Sequence, residues 1–198
     1  MDANAAHMTP PVDEDLPVGT VLCGDQFTIT DRLGAGGFGI TYIAKDNTLG
    51  RTVVIKECFP DDFCYRKGKD VVPRSSSQAD PVDSIVRMFM REAQSLAKLR
   101  HPNIVGVHRA FEENRTAYMA LDLIDGRDLI DVMEDQSATL SPARVKDILV
   151  QLLDAIEKVH ELDLLHRDIS PDNIIIEKNG TPVPVSYTHL TLPTTPYV

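Results

Sequence analysis

A cluster of glycines near the N-terminus limits the folds open to this chain more than any other feature. Gly34, Gly36 and Gly39 have the spacing GxGxxG and stand between two segments that alternate apolar and polar residues, FTITDRL and ITYIAKD. Such alternation is typical of half-buried β-strands. A dinucleotide-binding turn with the same spacing leads into a helix, and no helical pattern follows Gly39. The segment therefore predicts a β-hairpin with glycines at its tip, where backbone amides can approach phosphate oxygens. For the motif alone, a mobile hairpin without a ligand stays open.

The surrounding sequence extends this hairpin into a small antiparallel sheet with one helix. A third strand is predicted in RTVVIKE, and two more on either side of a turn at Asn114 and Arg115. A helix is predicted over residues 84–99, where the apolar residues at helical spacing are Ile85, Phe89, Leu96 and Leu99. Residues 58–81 contain three prolines and a serine run, which predict a long loop, and the acidic residues 1–24 predict a disordered leader.

The second half of the chain contains its clearest helix, SPARVKDILVQLLDAIEKVHEL. Ser141 is a suitable N-cap, and Pro142 fits the first helical position. The many large apolar residues of this segment imply that the helix is buried in a helical lobe. The predicted fold class is α+β: a five-stranded antiparallel lobe with one helix, followed by the start of a mainly helical lobe.

Composition excludes several classes of protein. The net charge is −10, which argues against a general nucleic-acid binder because such proteins need a surplus of basic residues. The three cysteines form no CxxC pair, so neither a zinc site nor a disulfide framework is expected. The N-terminus lacks the basic start and apolar run of a signal peptide, and no stretch approaches the length of a membrane span. We expect a cytoplasmic protein without nucleic-acid or membrane partners in the visible chain.

A lysine and a glutamate stand out because of where they fall in these predicted elements. Lys56 ends the third strand, and Glu92 lies on the apolar stripe of the 84–99 helix. A buried carboxylate without a cation is costly, so Lys56 is the natural counter-charge. The pair would hold the lysine toward a phosphate. Two alternatives stay open: a solvated Lys56 and a Glu92 at the edge of the stripe.

The segment HRDISPDN follows the long helix and precedes the apolar segment IIIE, which predicts a strand. Asp168 can accept a proton or orient a hydroxyl, and Asn173 offers an oxygen ligand suited to Mg²⁺. His166 and Arg167 are expected to brace this loop rather than to react.

Together these features resemble the protein kinase family. The glycine loop, the strand lysine, the helix glutamate, HPNIV and HRDxxxxN occur in the family's order and structural contexts. GFGITYIA, IKECFP and HRDISPDN look most like a group of bacterial serine/threonine kinases. The resemblance implies a protein-kinase-like fold over residues 25–183, with an N-lobe at about 25–121, a hinge at 122–126 and a partial C-lobe at 127–183.

The resemblance also implies an ATP site. The residues implied to contact the nucleotide are Leu33, Gly34, Ala35, Gly36, Gly37, Phe38, Gly39, Thr41, Val54, Lys56, Asp122, Ile124 and Asp128. Residues 33–41 would fold over the phosphates, and Lys56, held by Glu92, would bind the α- and β-phosphates.

Further roles follow from the same resemblance. Asp122 and Ile124 would belong to the hinge that binds adenine, with Leu121 as gatekeeper, and Asp128 would reach the ribose. Asp168 would orient the attacking hydroxyl of a protein substrate, and Asn173 would bind one Mg²⁺.

Three positions depart from the family pattern. Thr41 stands where the family usually has valine, and Val54 replaces the alanine above the adenine. Ser170 replaces the lysine that usually steadies the γ-phosphate, which weakens the inference that the acceptor is a Ser or Thr hydroxyl.

The end of the chain departs further. The sequence contains no Asp-Phe-Gly, although the aspartate of that motif is the family's principal Mg²⁺ ligand. Residues 181–198 carry no charged side chain, and VSYTHLTLP resembles the in-frame translation of a transposon-end sequencing adapter. We expect a kinase sequence truncated near Val183, a non-native tail at 184–198 and negligible phosphoryl transfer by this chain. The alternatives are a genuine disordered tail and a non-catalytic, pseudokinase-like nucleotide-binding or scaffold module.

Overall fold

The computed structural model describes residues 14–37, 39–135, 140–166 and 168–185. The N-terminal region is built on a six-stranded antiparallel sheet. The strands in this region are β1 (Val21–Leu22), β2 (Phe27–Gly36), β3 (Gly39–Asp46), β4 (Arg51–Cys58), β5 (Cys64–Lys67), β6 (Asp70–Pro73), β7 (Val107–Glu113) and β8 (Thr116–Asp122). The order in the main sheet is β1-β2-β3-β4-β8-β7. In β4, Val53, Val54 and Ile55 are all buried, because this central strand is covered on both faces.

All five predicted strands are present, and the α+β fold class is confirmed. Asn114 and Arg115 have φ values of 50° and 59°, as a tight hairpin turn requires. Residues 14–24 differ from the predicted disordered leader. Leu16 is buried, and the short strand β1 pairs with the start of β2. Residues 1–13 lie outside the described residues.

The segment predicted as a long loop contains a second small hairpin. Strands β5 and β6 pair with each other, and Gly68 at their turn has a φ of 64°. Val71 of β6 is buried against the main sheet, and its N–H donates to Asn114 O at 2.9 Å. The prediction of a long loop over residues 58–81 was therefore wrong for β5 and β6, because strands of four residues are too short to show a clear alternation.

The helix of the N-terminal region, α1, spans Ala79–Leu96 and so begins five residues earlier than predicted. Pro81 is accommodated because the first turn of a helix does not use its N–H groups. The buried residues of α1 are Val82, Phe89, Glu92, Ala93 and Leu96. Phe89, Ala93 and Leu96 pack against one face of the sheet, whereas Val82, the β5–β6 hairpin and the segment around Leu16 pack against the other face.

The C-terminal region contains two helices and a three-stranded sheet. Its elements are β9 (Gly126–Asp128), α2 (Leu129–Glu134), α3 (Pro142–His160), β10 (Ile174–Glu177) and β11 (Pro182–Pro184). Ser141 caps α3 as predicted, since its side chain accepts a hydrogen bond from Arg144 N at 3.2 Å. The sheet order is β11-β10-β9.

The ordered fold reaches beyond Val183, the predicted end of the kinase sequence. Pro184 pairs with Ile174, and Val185 N donates to Asn173 O at 2.7 Å. These contacts show only that Pro184 and Val185 are bonded to residues 174 and 173, and the non-native tail over residues 184–198 stays a prediction. Residues 186–198 lie outside the described residues.

Side-chain contacts join the two regions, one of which is the hydrogen bond from Asn103 Nδ2 to Gln151 Oε1 at 3.2 Å. Asn103, in the loop after α1, donates to Pro182 O at 2.7 Å, and His101 contacts Asp154 of α3 at 2.9 Å. Within the described parts of the chain, no helix combines the length and apolarity needed to cross a membrane.

Candidate nucleotide-binding site

The glycine segment lies at the tip of the β2–β3 hairpin, as predicted. Gly36 pairs with Gly39 across the turn, so a strand and not a helix follows the motif. A Cβ atom on Gly39 would lie 2.6 Å from the backbone oxygen of Glu57, and only glycine fits there without a shift. At Gly34 a Cβ would meet nothing within 4 Å. Phe38, also predicted to contact the nucleotide, lies outside the described residues.

Lys56 lies behind this hairpin, paired in register with Thr41 of β3 and Met119 of β8. It is only 3% exposed, so the interpretation as a solvated lysine was wrong. Burial lowers the pKa of its ammonium group, and the charges of Glu92, Cys58 and Asp168 act in the opposite direction. Nearby negatively charged groups, rather than water, therefore oppose the loss of its positive charge.

Glu92 points into the core from α1 and is 2% exposed, so it is not at the edge of the apolar stripe. Burial raises the pKa of its carboxyl group to about 8, against the opposing effect of Lys56. One of its oxygens, Oε1, has no hydrogen-bond partner among the described residues. The charges of Lys56 and Glu92 thus act on each other, and burial shifts both groups toward their neutral forms.

The predicted adenine side of the site is formed by β4 and the end of β8. Val54 pairs with Leu121, and both side chains are buried. The N–H of Asp122 donates to Gly106 O at 3.0 Å. Its carboxylate contacts His108 Nε2 at 2.7 Å. The predicted hinge therefore begins at a residue fixed through both backbone and side chain.

The contacts that fix the hinge were not predicted. A Cβ on Gly106 would lie 2.3 Å from Asp122 Oδ2, so this glycine makes room for the carboxylate. Because His108 and Asp122 lie on neighbouring strands, only their register could have indicated the pair. Ile124 follows in the connection to β9 and is half-buried. Asp128 caps α2, since its Oδ1 accepts from Asp131 N at 2.7 Å, which gives this predicted ribose ligand a structural role as well.

The loop after α3 brings Asp168 toward Lys56. The charge of Asp168 acts on both Lys56 and His166. Burial lowers the pKa of His166 to about 4, so its ring is neutral near pH 7. Asn173 donates to Asp168 O at 3.3 Å and to Ser170 Oγ at 3.1 Å, which fixes the shape of the loop. Arg167 lies outside the described residues.

A small cavity of about 60 Å³ lies between Lys56 and His166, behind Leu121. Its other walls are apolar and include Met119 and Val159. The space is too small for a nucleotide base.

The described residues do not fit a complete magnesium site. Because the amide nitrogen of Asn173 donates within the loop, its Oδ1 is the atom that can face a cation. Mg²⁺ in phosphate sites is usually held by one or two carboxylates together with the phosphates. Among the described residues, no group of three or more His, Cys, Asp or Glu side chains could hold a metal ion.

A family model described as "Protein kinase domain" matches residues 27–186. The chain belongs to the protein kinase family. This membership confirms the resemblance drawn from the glycine loop, Lys56, Glu92 and the HRDxxxxN segment, and bacterial serine/threonine kinases are among the relatives.

Two relatives illustrate the range of the similarity. Cyclin-dependent kinase 7 of Xenopus laevis is 32% identical over 155 residues, which are 78% of this chain and 40% of that protein. Serine/threonine-protein kinase PknA of Mycobacterium tuberculosis is 33% identical over 168 residues, which are 82% of this chain and 35% of that protein. The chain therefore spans less than half the length of these relatives.

Solved kinase structures have the same fold. The apo form of PpkA-294 matches with a TM-score of 0.75 at 34% identity, over 88% of this chain and 62% of that one. Rad53 1-466 in complex with AMP-PNP matches with a TM-score of 0.60 at 28% identity, over 83% of this chain and 38% of that one.

Proposed function

We propose that this chain is the N-terminal part of an ATP-dependent protein kinase that transfers the γ-phosphoryl group to a Ser or Thr hydroxyl of a protein substrate. One observation carries the proposal: Lys56 is buried behind the glycine hairpin and within reach of the charges of both Glu92 and Asp168. A structural lysine would not need two carboxylates from separate elements. The AMP-PNP bound to the similar Rad53 structure supports a nucleotide as the ligand.

In the proposed site, each group acts by position and charge. The β2–β3 tip presents backbone N–H groups to the phosphates, and Lys56 places a positive charge against them. The backbone of Asp122 and Ile124 offers hydrogen bonds to adenine. Asp168 orients the hydroxyl of the substrate, which is proximity catalysis with in-line transfer. Asn173 remains a proposed Mg²⁺ ligand.

Nucleotide binding is the first test of this proposal. The purified chain should bind a fluorescent ATP analogue, and Lys56→Met should weaken the affinity by about a hundredfold through loss of one buried phosphate contact. Lys45→Met is the matched control, because Lys45 lies on the neighbouring strand and is exposed. Equal affinities of the two variants would contradict the proposed role of Lys56.

Phosphoryl transfer is the second test. We propose that the 198-residue chain alone transfers phosphate at a negligible rate, because no aspartate of an Asp-Phe-Gly motif is present to hold the metal. A kinase assay should therefore compare this chain with the product of the full-length gene. The full-length protein should label protein substrate and lose that activity in Asp168→Ala. A full-length protein that binds ATP but labels nothing would instead favour the non-catalytic alternative.

A further inference from the structure

The residue after Lys56 occupies the centre of a buried polar network. Successive residues of a strand point to opposite faces, so Glu57 faces away from the nucleotide side and lies under the β5–β6 hairpin. It is fully buried. The hydrogen bonds it accepts come from Tyr42 Oη at 2.9 Å, Tyr118 Oη at 2.8 Å and Arg66 Nη2 at 2.6 Å.

Arg66 extends this network to the hairpin and to the N-terminal segment. Its guanidinium is buried and lies over the ring of Phe59, 4.9 Å from the centroid. Besides Glu57, it donates from Nε to Glu14 O at 2.5 Å and from Nη1 to Lys69 O at 3.0 Å. Tyr42 Oη in turn accepts from Leu16 N at 3.0 Å. One arginine thus joins the central strand to two segments outside the main sheet.

Stability alone is a weak explanation for such an arrangement. A buried ion pair must overcome the desolvation of both charges, and a well-packed apolar pair of the same volume is often as stable. The network instead fixes the positions of three strands relative to Glu57, because each partner of Glu57 comes from a different strand: β3, β5 and β8. A fully satisfied buried network rigidifies the groups that make it.

Two residues of the proposed ATP site, Lys56 and Gly39, are direct neighbours of Glu57. Lys56 is its neighbour in the chain, with Cα atoms about 3.8 Å apart across the peptide bond. Gly39 packs against its backbone, where a Cβ would lie 2.6 Å from Glu57 O. A displacement of Glu57 would therefore move both the lysine and the base of the glycine hairpin.

We propose that Glu57 and Arg66 are positioning residues for the phosphate side of the nucleotide site, acting through Lys56 and Gly39. This inference rests on the proposed function, because it supposes that nucleotide phosphates bind at Lys56. If so, the β5–β6 hairpin and the segment around Leu16 contribute to nucleotide binding by holding Arg66 and Tyr42, although neither segment faces the nucleotide.

Arg66→Lys in the 198-residue chain is the decisive variant. Lysine keeps a positive charge against Glu57, but its ammonium cannot reproduce the planar fork that also bonds Glu14 O and Lys69 O. We expect the variant to fold and its affinity for a fluorescent ATP analogue to fall about tenfold, because Lys56 is no longer held in place. Arg66→Met should lower the affinity at least as much if it folds.

Two controls distinguish a positioning role of Arg66 from a general loss of stability of the N-terminal region. Arg74→Met removes another arginine near the hairpin, one whose contact with Glu14 is exposed, and should change the affinity less than about twofold. Val71→Ala weakens the packing of the hairpin at the strand partner of Arg66 but removes none of the hydrogen-bonding side chains of the network. Urea unfolding followed by circular dichroism gives the stability of each variant, so that affinities are compared only on folded protein.

The outcomes distinguish this inference from the proposed function. A weakened Arg66→Lys beside a near-normal Val71→Ala of equal or lower stability supports positioning. Unchanged affinity in Arg66→Lys, or an equal loss in Val71→Ala at matched stability, overturns it while the proposed function stands. A folded wild-type chain that binds no nucleotide overturns the proposed function, and this inference with it.

Discussion

Helices α1 and α3 are nearly equal in length, at 18 and 19 residues, but they are covered very differently. The apolar stripe of α1 packs against the six-stranded sheet, and even its glutamate is buried. In α3, Ile148 and Leu152 are buried, whereas Leu149 and Leu153 are 53% and 64% exposed. The apolar face of α3 is wider than the surface that the described residues offer to cover it.

This contrast shows that the two regions differ in how they are stabilised. The N-terminal sheet has covers on both faces, α1 on one and the β5–β6 hairpin on the other. Its core is thus complete within the described chain. The C-terminal region has a small core of Ile148, Leu152 and Ile174 beside an open apolar groove of about 550 Å³ along α2 and α3. We expect substitutions at apolar positions to have large effects in the first region and small effects on the open face of the second.

The largest effect is expected from Phe27→Ala in the N-terminal sheet. Phe27 is fully buried and stacks on Phe111 at a centroid distance of 5.8 Å. Truncation should lower the free energy of unfolding by about 4 kcal/mol through lost burial and the cavity it leaves. Urea denaturation measures this change, with the exposed Val18→Ala as control. A loss below about 1 kcal/mol would mean that the core of this region is not complete as described.

The sequence predicted the parts of this region whose signals are local. The strands around the glycine motif and the Asn114–Arg115 turn follow from alternation and turn chemistry, and the burial of Glu92 follows from its place on a helical stripe. The β5–β6 hairpin was missed because its strands are short. The burial of Leu16 depends on Tyr42, which is distant in sequence.

In the candidate site, too, the sequence predicted contacts with a local signal and missed those that depend on distant segments. The pair Lys56 and Glu92 could be predicted because a charge on an apolar stripe needs a partner. The contact between His108 and Asp122 could not, since it depends on the register of β7 and β8. Likewise, nothing local to Glu57 indicates that Arg66 will reach it from a separate hairpin.

A second test compares two glycines of the same hairpin. Gly39→Ala should destabilise the chain by about 2 kcal/mol and weaken nucleotide binding, because the added Cβ would overlap the backbone of Glu57. Gly34→Ala should be nearly neutral in stability, since open space surrounds its Cα. Urea unfolding and nucleotide titration of both variants check this difference. Equal effects would show that the hairpin relaxes at its base as easily as at Gly34.

A third test concerns pH and the boundary between the two regions, where His166 lies. The pKa of this histidine is lowered to about 4, mainly by burial. The charge of Asp168 opposes this shift, and the charge of Lys56 adds to it. The folded state therefore binds fewer protons than the unfolded state between pH 6.5 and 4. The resulting stability is present above pH 6.5 and is lost as the pH falls toward 4.

His166→Phe keeps an aromatic ring at this position but cannot take up a proton. Between pH 6.5 and 4, the wild type should lose about 1–2 kcal/mol more stability than this variant. Urea unfolding at a series of pH values measures both slopes. Parallel curves would show that water reaches His166 freely, and that the boundary between the regions is not dry.

The smallest effect is expected from Leu153→Ser on the open face of α3. Because Leu153 is largely exposed, its replacement should change the free energy of unfolding by less than about 0.5 kcal/mol and should reduce the binding of a hydrophobic dye. Leu152→Ser, one position earlier and buried, should destabilise the chain strongly. If Leu153→Ser were as destabilising as Leu152→Ser, something would have to cover the outer face of α3 in solution, and the contrast between α1 and α3 would disappear.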